Sequence, residues 1–300
     1  MILKDLPIGT KVREERTSLV FLIADHNHTG YKGTTLITDC AIKLASIDGA
    51  EPDNPKDSIK EFGNNFYPHS NIHQWLNSDK ADWYMPIHEY DAPPSSDNID
   101  HGRVDFYESP FYSEEAKFTG DHSYQKDPGF LTWFSQGFRD RILESEVHCY
   151  KEPTPGVIHF GPPEPYKLKA KVFLLSAPEM GFEKNKNGTE GFRFPLFHDG
   201  RMRVAAPIPA AIGRPDDYNY DDCSFYYWLR TPAAGSYTMS MYYNSDHKVG
   251  DNNGASFREM PVKAACGIRP ALNLDSDATV SDVPDKQGVY TLICGGVYGK

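Results

Sequence analysis

The run Tyr226-Tyr227-Trp228-Leu229-Arg230-Thr231-Pro232 and the run Gly267-Ile268-Arg269-Pro270-Ala271-Leu272-Asn273-Leu274 frame the part of the chain that decides the fold. In each, an apolar stretch meets an arginine and then a proline. Such a segment enters a core and stops there. The arginine brings five donors in a rigid fork, and the proline fixes φ and removes a ladder donor. Trp228 and Leu229 are expected to be buried, with Arg230 and Arg269 tying loop carbonyls together at the edge of the core. Buried polar groups ordinarily serve to satisfy other groups. An anion-binding or catalytic pocket is the competing reading, but no general base or nucleophile stands at a telling spacing beside either arginine.

Working outward, 300 residues fit one large domain or a core domain with an annex. Apolar content is 39%, below the soluble average, but 18 Tyr and 17 Phe supply large buried area per residue. With 23 Pro and 24 Gly, much of the chain is expected to be turn and loop rather than long helix. A net charge of −11 argues against duplex binding, which needs a basic stripe. No window approaches about 18 consecutive apolar residues, so no membrane insertion is expected. The start, Met1-Ile2-Leu3-Lys4-Asp5-Leu6-Pro7, lacks the pattern of a secretory signal, and synthesis in a cytoplasm is the expectation. The five cysteines, at 40, 149, 223, 266 and 294, form no C-x-x-C, so free thiols are expected and neither a metal nor another cofactor.

Residues 1–50 read as strands. Ser18–Asp25 is β-branched and aromatic, and Thr34–Cys40 pairs with it through a turn at Gly30 and Gly33. Asp25-His26-Asn27-His28 holds possible metal ligands, but no partner motif completes a site and a solvated loop is expected. Ser70 or Asn71 caps a short helix whose Ile72, Trp75 and Leu76 share one face, leaving His73 exposed. Residues 80–128 are expected to form an extended surface excursion. Phe130, Trp133, Phe134, Phe138 and Ile142 predict a second helix over 129–143, with the aromatic stripe in the core. Val147–Tyr150 reads as a strand, Lys171–Ser176 as a short buried run and Gly288–Cys294 as a last strand or docking segment, with a Pro-rich link at 153–165. The acidic cluster Asp216–Asp222 lacks the fixed spacing of a calcium loop and is expected to be solvated.

The order of the pieces is more specific than any one of them. G-N-N-x-Y, S-N-I-x-Q-W-L-N-S, G-F-L-x-x-F, K-V-F-L-L-S-x-x-E, Y-W-L-R-T-P and G-I-R-P-A-L-N-L follow one another in one chain. Over residues 60–275 this resembles a family of bacterial and phage proteins classed as domain-of-unknown-function family 6273. The closing W-L-R and G-x-R-P pattern also looks like the C-type-lectin-like fold of formylglycine-generating enzymes and of diversified phage receptor-binding proteins. In that fold a late G-F-R is a structural anchor, and Gly267-Ile268-Arg269 is its counterpart here. The resemblance implies an α+β architecture of two helices, irregular antiparallel sheets and long ordered loops. Residues 1–58 would be a small N-terminal β unit, and 59–300 a C-type-lectin-like domain carrying the excursion at 80–128.

The function implied is a non-catalytic virion component. It would be made in the bacterial cytoplasm, work as a homo-oligomer beside other virion proteins, and bind a host-surface glycan or protein. Nucleic acid is not an expected partner. The ligand face would lie between the two anchors, with Tyr237, Met239, Tyr242, Asn244, Asp246 and His247 as contact residues. A plain half-buried strand is the competing reading for the odd-numbered positions. Trp75, Trp228, Arg230, Gly267 and Arg269 would be structural anchors. Two alternatives stand beside this one: a decoration or assembly protein without a receptor, and a formylglycine-generating-type enzyme. The enzyme branch would need Cys223 or Cys266 to be reactive, and nothing in their neighbourhoods lowers a thiol pKa.

Overall fold

At Arg269 the chain leaves one β-sheet and enters another. The computed structural model describes residues 1–100, 122–151, 164–182, 190–203, 205, 226–233, 238–244 and 255–295. In chain order its strands begin with β1 (Lys11–Glu14), β2 (Val20–His26), β3 (Thr34–Thr38), β4 (Lys43–Ala45) and β5 (Ile142–Leu143). They continue with β6 (Ser145–Lys151), β7 (Glu164–Ala170), β8 (Val172–Leu174), β9 (Tyr227–Pro232) and β10 (Thr238–Asn244). The last are β11 (Ala255–Pro261), β12 (Cys266–Ile268), β13 (Pro270–Leu274), β14 (Thr279–Val280) and β15 (Val289–Ile293). Three short helices accompany them: α1 (Asp57–Phe62), α2 (Asn71–Leu76) and α3 (Gln136–Arg141).

The larger sheet runs β14-β15-β1-β2-β3-β13-β5, with β8 also paired to β13. The second runs β11-β10-β9-β12-β4, and β6 with β7 forms a separate ribbon. The class is therefore α+β. The sheets are mixed rather than purely antiparallel, because β1 pairs with β15 and β9 with β12 in parallel. Both parallel pairings join segments far apart in sequence, which no hairpin connection can do.

Two segments cross between the sheets: β3 continues into β4, and β12 continues into β13. Pro270 opens β13, a position where its missing donor is tolerated. Strands β1, β2 and β3, all within residues 1–58, lie in one sheet with β13 and β15. Leu3, Phe21 and Leu36 likewise share one core with Trp75, Phe173 and Leu272. Lone hairpins are marginal in water, and these strands gain their stability from late ones.

The motif G-N-N-x-Y and the capped helix brace each other around one buried carboxylate. Asp48 accepts from the backbone N–H of Asn64 and of Asn71, both at 3.0 Å, and Asn71 Oδ1 accepts from Gly49 N–H. Ser70 caps α2 as expected, its hydroxyl accepting from His73 N–H. His73 is not exposed. It is partly buried, its ring lies tilted 5.4 Å from that of Tyr67 and its Nδ1 meets Asn77, and burial pushes its pKa down to about 4.

The helix expected over 129–143 is two pieces, a 3-10 turn at Phe130–Trp133 and then α3. Ser135 breaks the run because its hydroxyl caps α3 at Phe138 N–H. Phe130, Phe134, Phe138 and Ile142 are nonetheless buried, while Trp133 is only partly buried against the core. The described ends of the 80–128 passage lie partly at the surface, with Met85 and Ile87 exposed, and are tied to the body by two aromatics. Trp83 and Tyr124 are buried and stacked at 5.7 Å, and Trp83 Nε1 donates to the Asp127 carbonyl. Residues 101–121 lie outside the described residues, as does 152–163, most of the Pro-rich link. The end of that link, from Glu164, is strand β7.

Candidate functional site

Strand β9 carries Arg230 into the interior, where no part of the side chain reaches solvent. Each donor nitrogen finds a partner. Nε donates to the His148 carbonyl at 3.0 Å, Nη1 to the Leu174 carbonyl at 2.8 Å, and Nη2 to the Glu190 carbonyl at 2.5 Å. The two terminal nitrogens also grip the Glu179 carboxylate, at 2.6 and 2.8 Å. Glu179, equally buried, accepts in addition from Tyr31 Oη at 2.6 Å and from Ser176 N–H at 3.0 Å. Burial opposes the charge on Arg230, but the adjoining Glu179 carboxylate outweighs it and holds the guanidinium well above its ordinary pKa. Burial, and then the same carboxylate, push the Tyr31 phenol upward. This is a bidentate pair with its remaining valences filled, the only form in which a buried ion pair is well tolerated.

Glu190 sits at the far side of this network. Thr231 Oγ1 donates to its carboxylate at 2.6 Å, and Ser176 Oγ donates to its carbonyl. Burial pushes its pKa up to about 7, with Arg230 pulling the other way. An acid raised on folding binds its proton more tightly in the folded chain. Its contribution is therefore fully present below the unfolded value of about 4.5 and is lost as pH rises to about 7. Glu190→Gln should gain stability relative to the parent chain over that window, by up to about 3 kcal/mol. Urea titrations of both proteins at several pH values measure it, and parallel pH curves would refute it.

Arg269 performs the same kind of work at the crossing between the sheets. Nε donates to the Thr38 carbonyl at the end of β3, Nη1 to the Arg203 carbonyl and to Tyr227 Oη on β9, and Nη2 to the Met202 carbonyl. The anchors Trp75, Trp228, Gly267 and both arginines are all buried, and Trp228 Nε1 donates to the Ala45 carbonyl. The two arginines are thus bound by carbonyls, a carboxylate and a phenol of the chain itself.

Over the Arg230 network lies a cleft of about 280 Å³. Gly30 and Tyr31 of the β2–β3 turn form one wall, Glu146 and His148 of β6 another, and Gly191 and Phe192 the third. The segment after Glu190 is pinned from behind. His28 Nε2 donates to the Phe192 carbonyl at 3.0 Å, its Nδ1 meets Asp25 Oδ2 at 2.7 Å, and its ring lies 4.1 Å from that of Phe194. His28 is buried, and His26 bonds Thr34 Oγ1 and the Leu6 carbonyl. The stretch Asp25–His28 is therefore a built turn and not a solvated loop. Among the described residues no cluster of His, Cys, Asp or Glu is arranged to hold a metal ion.

Of the ligand residues expected between the anchors, Met239, Tyr242 and Asn244 fall on β10, between β9 and β11. Tyr237, Asp246, His247, Cys223 and the acidic run Asp216–Asp222 lie outside the described residues. Burial raises the thiols of Cys40 and Cys149 to about 12 and that of Cys266 further. Glu190 and Tyr31 were not singled out in the sequence, and Glu179 entered only as the closing acid of K-V-F-L-L-S-x-x-E, four residues after Leu175.

Fold and site together define an α+β protein whose ionised interior is a frame beneath an open cleft. A family model described as a domain of unknown function (DUF6273) matches residues 32–276, and the chain belongs to that family. The match begins inside the stretch expected to be a separate N-terminal unit, in keeping with β3 and β4 being built into the two main sheets. No curated protein and no solved structure matches the chain.

Proposed function

We propose that the chain is a non-catalytic binding module of C-type-lectin-like architecture. On this reading it is a component of a phage virion or phage-tail-like particle that engages a host-surface glycan or protein. The observation that supports this best is the inward use of its reactive groups. Arg230 and Glu179 fill each other's valences, Arg269 is spent on carbonyls, and the described thiols are held protonated. Stabilising groups placed this way make a rigid frame for display, while catalysis needs them poised toward a substrate. On this reading β10, which lies between β9 and β11 in the five-stranded sheet, belongs to the displayed element. The particle setting is supported by the resemblance to phage and bacterial proteins.

The test is binding of the purified chain to bacterial envelope material, with Tyr242→Ala and His247→Ala variants. Saturable binding that both variants weaken is the expected result. A well-folded chain that binds no envelope preparation would overturn the receptor role and favour a decoration protein.

A further inference from the structure

The cleft beside β6 plays no part in the β10 face, yet it has the marks of a second site. Its volume, about 280 Å³, is near the lower bound of small-ligand pockets, roughly 300 Å³. Phe192 is 63% exposed although the backbone on both sides of it is fixed. Glu190 and Phe194 are buried, and a Cβ on Gly191 would stand 2.7 Å from Glu179 Oε1. An aromatic ring left in water on so constrained a segment is a displayed surface and not a frayed one. The opposite wall shows carbon: the Tyr31 hydroxyl is turned inward to Glu179, so its ring faces the cleft together with Gly30. Among the polar groups of the lining, which include Thr29 and His148, one carboxylate is held in place. The Glu146 carboxylate is fixed by Lys167 Nζ at 2.7 Å and approached by His148 Nε2 at 3.4 Å.

We propose that this cleft binds a neutral sugar ring, whose C–H face stacks on Phe192 and whose hydroxyls donate to Glu146. The negative face of an aromatic ring attracts polarised C–H groups, and an ionised carboxylate is an acceptor only, suited to hydroxyl donors. An anionic ligand is disfavoured by Glu146 itself and by the net charge of −11. A wholly apolar ligand would strip water from the carboxylate without replacing its hydrogen bonds. The inference rests on the binding-module reading only for where the sugar comes from, a bacterial surface; the cleft is separate from β10.

The experiment is saturation-transfer NMR on the full chain with a panel of methyl hexosides and N-acetylhexosaminides, repeated on Phe192→Ala and Glu146→Gln. At least one sugar should bind saturably, with Phe192→Ala weakening it about tenfold or more. Glu146→Gln should weaken it by a smaller factor. Phe192→Ala should leave the urea midpoint unchanged, which separates lost contact from lost folding. A blank panel, or binding untouched by Phe192→Ala, overturns the cleft as a sugar site; so does preferential binding of a free indole or phenol, which would assign it to a protein partner. If the panel is blank but envelope binding persists, the cleft fails and the β10 reading stands. If sugar binding is lost in Phe192→Ala but the chain ignores envelopes, the cleft stands and the receptor role fails.

Discussion

Glu179→Ala is expected to destabilise the fold by about 3–5 kcal/mol, the cost of leaving one buried charge without its partner. The guanidinium of Arg230 would keep its carbonyl acceptors at Leu174, His148 and Glu190 but lose the only full negative charge that grips it at both ends. Tyr31 Oη and Ser176 N–H would lose their acceptor at the same time. Urea unfolding should show a lower midpoint with an unchanged slope if the loss is one of stability alone. The double variant Glu179→Leu, Arg230→Met should cost less than the sum of its two single changes, because it removes the stranded charge. It should not return to the parent value, because three carbonyls then lose the guanidinium as a donor. A cost under about 1 kcal/mol for Glu179→Ala would show that the pair is not the buried frame described.

The local parts of this structure were legible in the sequence, and the pairings across long separations were not. Ser70 and the Ile72, Trp75, Leu76 face are contained in a few residues, and they form the helix that capping and period require. The strands at 20–26 and 34–38 pair across one turn, where Gly30 and Gly33 have φ of +93° and +81°. Gly33 has a second reason to be glycine, since a Cβ there would lie 2.4 Å from the Leu274 carbonyl oxygen. That contact belongs to β13, and no reading of the turn alone reveals it. Arg230 and Arg269 were recognisable as buried donors because each ends an apolar run. Their acceptors were not, because Glu179 stands 51 residues from Arg230 and Thr38 stands 231 from Arg269. The aromatic stripe at 130–142 was assigned to the core correctly and to one helix wrongly. Phe130, Phe134 and Phe138 are all buried, but the chain between them is a 3-10 turn, where i and i+3 eclipse, two extended cap residues and then an α-turn. The cleft had no sequence signature at all. Its walls come from three segments, and its most telling feature, an exposed Phe192 two residues from each of the buried Glu190 and Phe194, exists only once those two are in place.

Trp75→Ala should lower stability by about 3–5 kcal/mol, the range for deleting a large aromatic from a packed interior. Trp75 is fully buried, and its ring stands 5.5 Å from Phe130, 5.9 Å from Trp133 and 6.0 Å from Tyr124. From Phe130 the cluster continues through Phe134 to Phe138 and Phe21, so it reaches from α2 into the larger sheet. The indole also donates to the Pro128 carbonyl at 3.0 Å, fixing the point where the 80–128 passage rejoins the body. Deletion therefore removes packing area and orphans a carbonyl together. Trp75→Phe separates the two effects: it keeps a ring in the cluster but removes the N–H, and should cost about 1–3 kcal/mol. Limited proteolysis gives a local readout, because loss of the Pro128 tie should expose the 80–128 passage to cleavage before global unfolding. If Trp75→Ala and Trp75→Phe proved equally mild and neither changed the cleavage pattern, the indole would not be the tie between that passage and the core.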